Sequence, residues 1–459
     1  MEKFDVIVIG SGSGMLVASA AVDQGLRVAL VEHGKMGGTC INVGCVPSKM
    51  LIYPTDLIAS VKESGGIGVH ASVESVDFGN IMGRMRALVN EDTGHQTLAV
   101  ETTTNMVWFK ETGEFISDYT IQVGNHTITA PKIFIAAGAR PGVSPIKGIE
   151  KIGYLTNDTV LELQTPPKSI IIVGGGYIGM EYGHFFSAIG TKTTILQRPS
   201  RILPEEEPEV SELLKKELQR WMEIYTGYEV LEARKEDAVK TLVARNRQDG
   251  TQREFSAEAV LVATGRVSNT DLLKPEKTGV QLDEHKFIKV NEFLETSKKN
   301  IWAFGDAIGI QMFKHVANFE AGIVWHNSSH DHKVPMDFSV APHAVFTHPQ
   351  IASVGLKEAE ARQLHSNVLV GTALFKDTAM GAAMGNPEGF VKVIVDGETG
   401  KILGGHIIGP EASILIQEIV NAMISETGTY APIAQAMHIH PAMTEVIQNA
   451  FGNLHHHEA

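Results

Sequence analysis

One pattern occurs twice in this chain and constrains its fold more than any other feature. The β-branched run Val6–Ile9 leads into Gly10-Ser11-Gly12-Ser13-Gly14-Met15, and the run Ser169–Val173 leads into Gly174-Gly175-Gly176-Tyr177-Ile178-Gly179. Continuous apolar runs of this length read as strands buried in a parallel sheet. Helix-compatible residues follow each turn, 18–24 with Gly25 as the stop, and 181–188 in the second copy. Further strands are expected over 27–31 and 193–196. Each half then carries a later strand that ends in a small-residue turn, 133–138 and 260–265. The chain thus holds two copies of one dinucleotide-binding module, the second inserted after the first, and residues 299–306 return a strand to the first. The fold class is α/β: two Rossmann-like domains, then an α+β segment after about residue 338. That last segment has strand-like runs at 344–347, 390–395 and 402–408 and a helix pattern at 414–424. Residues 204–218 read as an acidic amphipathic helix presenting a solvated face.

Both glycine turns carry the chemistry of a pyrophosphate site. Glycines permit a tight turn and close approach of backbone to phosphate, and the following helix aims its N–H groups at the anion. In the first copy the residues are Gly10, Gly12 and Gly14, with Glu32 placed to accept from ribose hydroxyls. Met15 stands where Gly or Ala is usual, which loosens the expected helix–strand packing. The second fingerprint is complete, with Gly174, Gly176 and Gly179. The position of Glu32 is there taken by Gln197, followed by Arg198 and Arg201. Losing a carboxylate and gaining guanidinium suits a 2′-phosphate, so NADPH is favoured over NADH.

The net charge is −14, which argues against a broad nucleic-acid surface. It also means that a polyanionic cofactor needs a local cationic pocket. No apolar run is long enough to cross a membrane. The N-terminal apolar run is short and followed by glycines, unlike an export signal. A cytoplasmic protein is expected, and the tail 455–459 is given no role.

The chain has two cysteines, in Gly37-Gly38-Thr39-Cys40-Ile41-Asn42-Val43-Gly44-Cys45-Val46-Pro47-Ser48-Lys49. A disulfide closing so small a loop stabilises little. Exchange chemistry is the better reading, because it needs an attacking thiolate with a resolving thiol beside it. Lys49 and a helix start nearby both favour thiolate. A zinc site needs two further ligands, and no histidine has finger-like spacing with this pair, so no metal is expected.

These motifs together resemble the class I flavin-dependent pyridine nucleotide–disulfide oxidoreductases over essentially the whole length. The stretch 37–49 is specific to that family, as are Gly174–Glu181, Ala263–Arg266, Gly305-Asp306 and His440-Pro441-Ala442-Met443-Thr444-Glu445. The resemblance implies that the first module binds FAD and the second NAD(P)H. Its cofactor-binding positions match Gly38, Thr39, Gly138, Ala317, Ile178 and Gly265, with Asp306 at the ribityl and diphosphate region and Tyr177 at the nicotinamide face. Lys49 and Glu181 match a pair near the reactive flavin nitrogen. Cys45 matches the thiol beside the flavin and Cys40 the thiol that attacks substrate. His440 matches the acid–base group and Glu445 its orienting partner, acting across the interface of a homodimer, whereas neighbouring His438 is structural. The expected boundaries are 1–150 and 273–338 for the FAD and central domain, 151–272 for NAD(P)H and 339–459 for dimerisation. Within the family the pattern is most similar to mycothione reductases, through Lys49–Tyr53, 265–269, 314–318 and 345–351. The implied substrate is a low-molecular-weight disulfide. A dihydrolipoamide dehydrogenase and a metal-ion or quinone reductase are the alternatives.

Overall fold

The computed structural model describes residues 1–456; the last three residues of the tail, 457–459, lie outside the described residues. The chain divides into two compact units, Met1–Ser48 with Met82–Gly142 and Gly265–Phe338, and Lys49–Ile81 with Val143–Thr264 and Ser339–Ala459.

The first unit is built on a five-stranded parallel sheet. Its order is Ile301–Ala303, Lys132–Ile135, Val6–Ile9, Val28–Val31 and Met106–Phe109. Val6, Ile7 and Val8 are fully buried, as an interior strand covered on both faces requires. The returning strand is present: Ile301 pairs with Ile133 in parallel. Helix Gly14–Asp23 begins directly after the first turn.

The second unit repeats this with a parallel sheet of Glu223–Thr226, Lys192–Gln197, Ser169–Val173 and Ala259–Val262. A three-stranded antiparallel sheet, Tyr228–Glu236, Val239–Asn246 and Gln252–Ala257, lies between its last two parallel strands in sequence. Its polar, alternating pattern gave no sequence signal as strong as the apolar parallel runs. The C-terminal part is a six-stranded sheet from His343–Val345 through Gln350–Gly355, Ile402–Gly409, Phe390–Asp396 and Val368–Leu374 to His455–His456. Helix Ala412–Met423 buries Leu415, Ile416 and Ile419 in the core with Val393, Val395 and Ile407.

One expectation is corrected. The acidic segment 204–218 contains the helix Pro208–Leu218, but it is not simply a solvated face. Glu206, Glu207 and Glu217 are buried. Buried carboxylates need compensation, and partners arrive from the C-terminal sheet. Lys392 Nζ lies 3.3 Å from Glu207, 2.8 Å from Glu358 and also against Glu209. His343 Nε2 and Ser353 Oγ each lie 2.6 Å from Glu206. The composition of the helix showed its charges; Glu217 pairs locally with Arg220 at 2.6 Å, but the partners of Glu206 and Glu207 lie more than 130 residues away in sequence and had no local signal.

Candidate active site

The two glycine turns are built alike. Gly10 and Gly174 have φ of +103° and +115°, and a Cβ on either would sit 2.2 Å from a carbonyl oxygen, of Ala136 and of Ala263 respectively. Neither position accepts a side chain. At Gly12 and Gly176 a Cβ would meet nothing within 4 Å. Those two glycines leave open space at the helix start, the place a pyrophosphate would fill. The packing glycine of the second copy is Gly179, whose Cβ would meet Gly174 O at 2.0 Å. In the first copy Gly14 does this job, its Cβ meeting Val8 Cγ1 at 2.9 Å. Close helix–strand packing therefore survives Met15, because the small residue sits one position earlier.

The residues after the second strands are equivalent too. Glu32 accepts from the backbone N–H of Ser11 at 2.9 Å and of Gly34 at 2.7 Å. Gln197 accepts from the N–H of Gly175 at 2.8 Å and donates to Arg201 O at 3.2 Å. Each side chain holds its own glycine turn. Gln197 is buried and Arg198, the next residue, is exposed. The glycine geometry gives a paired prediction. Gly174→Ala should destabilise the fold by about 1–3 kcal/mol through strain. Gly176→Ala should leave the melting temperature nearly unchanged and weaken NAD(P)H binding. Thermal melts and nucleotide titrations of the two variants check this.

The dithiol segment packs on the first turn. Gly37 N donates to Ser11 Oγ at 3.2 Å, and a Cβ on Gly38 would lie 2.9 Å from Gly12 Cα. Gly38 opens the short helix Gly38–Asn42, which carries Thr39 and Cys40; Cys45 is the first residue of the helix Cys45–Glu63. A helix N-terminus favours negative charge. The two cysteines are not bridged. Hydrogen bonding with Cys45, then burial, push the Cys40 thiol pKa up, and the charge of Lys314 pulls the other way. Lys314 was quoted from sequence only as part of a motif, since a lysine at a helix start carries no signal of what it faces.

Asp306, in the turn Gly305–Ala307, lies 3.3 Å from Arg266 Nε. Burial raises its pKa, and Arg266 opposes the rise. Glu320, fully buried, accepts from Gly305 N at 2.6 Å, and burial pushes its carboxyl up to about 7. Ala317 is buried on the same helix, Lys314–Ser329. Gly138 and Gly265 both adopt positive φ with nothing near a Cβ.

In the second unit Lys49 Nζ lies 2.9 and 2.8 Å from the two oxygens of Glu181, and over the Phe346 ring at 4.4 Å. Glu181 also accepts from Phe346 N at 3.1 Å. Tyr177 and Ile178 open the helix Tyr177–Ala188. His440 Nδ1 pairs with Glu445 Oε1 at 2.8 Å, and Ala442 N donates to the other oxygen at 3.0 Å. The hydrogen bond from His440 lowers the Glu445 pKa. The His440 side chain is 71% exposed, so its ring is held at one nitrogen and open at the other. His438 instead pairs with Glu418 at 2.8 Å with its side chain nearly buried. No group of three or more His, Cys, Asp or Glu among the described residues is arranged to hold a metal ion. No helix among them is long and apolar enough to cross a membrane.

Two glycine cradles, a dithiol on one of them and an oriented His–Glu pair define a nucleotide-dependent flavoprotein disulfide reductase. The chain belongs to the pyridine nucleotide-disulphide oxidoreductase family: residues 4–321 match that family's model and residues 341–451 match its dimerisation domain. It is 34% identical to mycothione reductase of Mycobacterium tuberculosis over 465 residues, covering 98% of this chain and 99% of that protein. It is 33% identical to a mercuric reductase of Lysinibacillus sphaericus, covering 90% of this chain and 76% of that protein. It is also 32% identical to dihydrolipoyl dehydrogenase of Bacillus subtilis, covering 98% and 97%. Among solved structures it is similar to the Cu(II) complex of the HOCl-induced flavoprotein disulfide reductase RclA from Escherichia coli, with TM-score 0.87, 27% identity, and 98% and 99% coverage. Enzymes of this family are FAD-dependent and use NAD(P)H. Three activities at nearly equal identity leave the substrate unselected.

Proposed function

We propose that this enzyme is an NADPH-dependent reductase of a low-molecular-weight disulfide of the mycothione type, working as a cytoplasmic homodimer. The observation that carries the reading is the docking of the dithiol segment on the Gly12 turn. A redox pair placed there is next to the cradle that fits a flavin dinucleotide. FAD, when bound, supplies the two-electron relay between nicotinamide and dithiol.

The chain's own residues divide the remaining work. Gly10, Gly12 and Gly14 shape the FAD turn, with Glu32, Gly38, Thr39, Gly138, Asp306 and Ala317 around the same cofactor. Gly174, Gly176 and Gly179 shape the NADPH turn, with Tyr177, Ile178 and Gly265 on the nicotinamide side. Glu181 holds the Lys49 ammonium with two oxygens, and by the family resemblance that cation would offset negative charge on a bound flavin. Cys45 would be the thiol held on the flavin side of the pair, and Cys40 the thiol that attacks the substrate disulfide. His440 gives a proton to the leaving thiolate of the substrate and later recovers one, with Glu445 fixing the tautomer. In the homodimer this His–Glu pair serves the dithiol of the other subunit.

Arg198 and Arg201 supply the local positive charge for a 2′-phosphate. Arg198→Glu should raise KM for NADPH by about 100-fold, equivalent to ~2.7 kcal/mol, and leave KM for NADH within a few-fold. Equal loss for both nucleotides contradicts this assignment. Steady-state turnover on mycothione, lipoamide, glutathione disulfide, Cu(II), Hg(II) and a quinone tests the substrate. The proposal expects the highest kcat/KM on mycothione. A metal ion or quinone as the best acceptor selects the alternative, for which the Cu(II)-bound RclA relative is the supporting observation.

A further inference from the structure

Lys314 is the first residue of the helix Lys314–Ser329. Its ammonium donates to Ser13 Oγ at 3.1 Å, and Ser13 in turn donates to Asn318 Oδ1 at 2.9 Å, one turn along the same helix. Ser13 belongs to the glycine turn on which Gly37 and Gly38 pack. The lysine is thus tied, through a neutral hydroxyl, to the turn that seats the dithiol helix. Placing an ammonium at a helix N-terminus is unfavourable, because that end already carries partial positive charge. The position makes physical sense when the cation faces a group that becomes negative.

We propose that Lys314 is a positioning residue for charge in the reductive cycle: its ammonium stabilises the thiolate form of the Cys40–Cys45 pair after reduction. This rests on the reading of the pair as a redox dithiol. The chemistry is a proton equilibrium. One thiol of the reduced pair loses its proton to solvent, and no bond between heavy atoms forms or breaks. The other charged groups that bear on the cation are few. Burial lowers the Lys314 pKa, and the charges of Cys40, Cys45 and Asp306 oppose that lowering. Arg266 neutralises part of Asp306, and Glu320 lies behind it. Asp306 has Arg266 as its own partner, and the Lys314 charge also bears on the Cys40 thiol.

The test uses the FAD-loaded, full-length protein, reduced with dithiothreitol and alkylated across pH 5 to 10. Mass spectrometry follows modification of each cysteine. In Lys314→Met the midpoint of the alkylation profile should move up by about one unit, a tenfold change. The ratio of iodoacetate to iodoacetamide rates should fall, since the anionic reagent loses its local cation. Lys314→Arg should keep most of both signatures. An unchanged midpoint in Lys314→Met, with flavin content and circular dichroism like the parent, overturns the proposal. Should that variant lose flavin or fold, Lys314→Gln and Ser13→Ala, which releases the ammonium from its tether, give the same readout. Failure of the dithiol reading is a separate outcome: NADPH then leaves the parent cysteines unreduced, whatever their proton titration.

Discussion

Cys40→Ser is expected to abolish disulfide turnover, by about 10³-fold or more, because the attacking thiolate is the one group no neighbour replaces. Cys45→Ser is expected to do the same, because the disulfide that carries electrons from flavin to Cys40 can no longer form. Neither variant should lose NADPH-driven flavin reduction, since Gly174, Gly176 and Gly179 are untouched. Turnover and stopped-flow flavin bleaching on the same samples separate these effects. Substantial disulfide turnover in either variant contradicts the roles given to both cysteines. The variants should fold, because Cys45 is exposed and Cys40 half-buried, and Ser is smaller than Cys by little.

The second large effect is on stability. Lys392 is 4% exposed and holds Glu207 and Glu358 with Glu209 beside them. Lys392→Met keeps the length of the side chain and removes the charge. It leaves the buried carboxylate of Glu207 without its cation, which costs about 3–5 kcal/mol. Thermal or urea unfolding should show the loss, and adding Glu207→Gln should recover part of it. A stability change below ~1 kcal/mol in the single variant contradicts the assigned role of Lys392 as their compensating charge. The network also has a pH signature. The carboxyls of Glu206 and Glu358 titrate below their ordinary range despite burial, held down by His343 and by Lys392. Burial lowers the pKa of His406. The two carboxylate shifts favour the folded state at neutral pH, and the buried neutral His406 becomes a cost to the folded state only in acid. Stability therefore falls with pH, from about 6.5 downward as His406 resists protonation in the fold, and from about 4.5 downward as the carboxylate contributions are lost.

These two predictions mark where sequence was a good guide and where it was not. The repeated glycine turns were legible because their constraint is local: a positive φ and a carbonyl 2.2 Å from a would-be Cβ admit only glycine. The parallel strands were legible because burial on both faces demands unbroken apolar runs. The cysteine pair was visible because Cys40 and Cys45 stand five positions apart in one short segment. The charges of 204–218 misled because solvation and pairing look the same in one sequence; Lys392 lies 185 residues beyond Glu207. The place of Lys314 had no signal for the same reason, since Ser13, to which its ammonium donates, comes from the other end of the chain. The effect of Met15 was overestimated because the packing glycine had moved one place to Gly14.

The central claim is that NADPH electrons reach the Cys40–Cys45 pair. The direct measurement is anaerobic addition of one equivalent of NADPH to the oxidised, FAD-loaded protein, followed by alkylation and mass spectrometry of the peptide carrying residues 40–45. The account predicts that both cysteines are blocked before NADPH and both alkylated after it. Bleached flavin with both cysteines still blocked would contradict it.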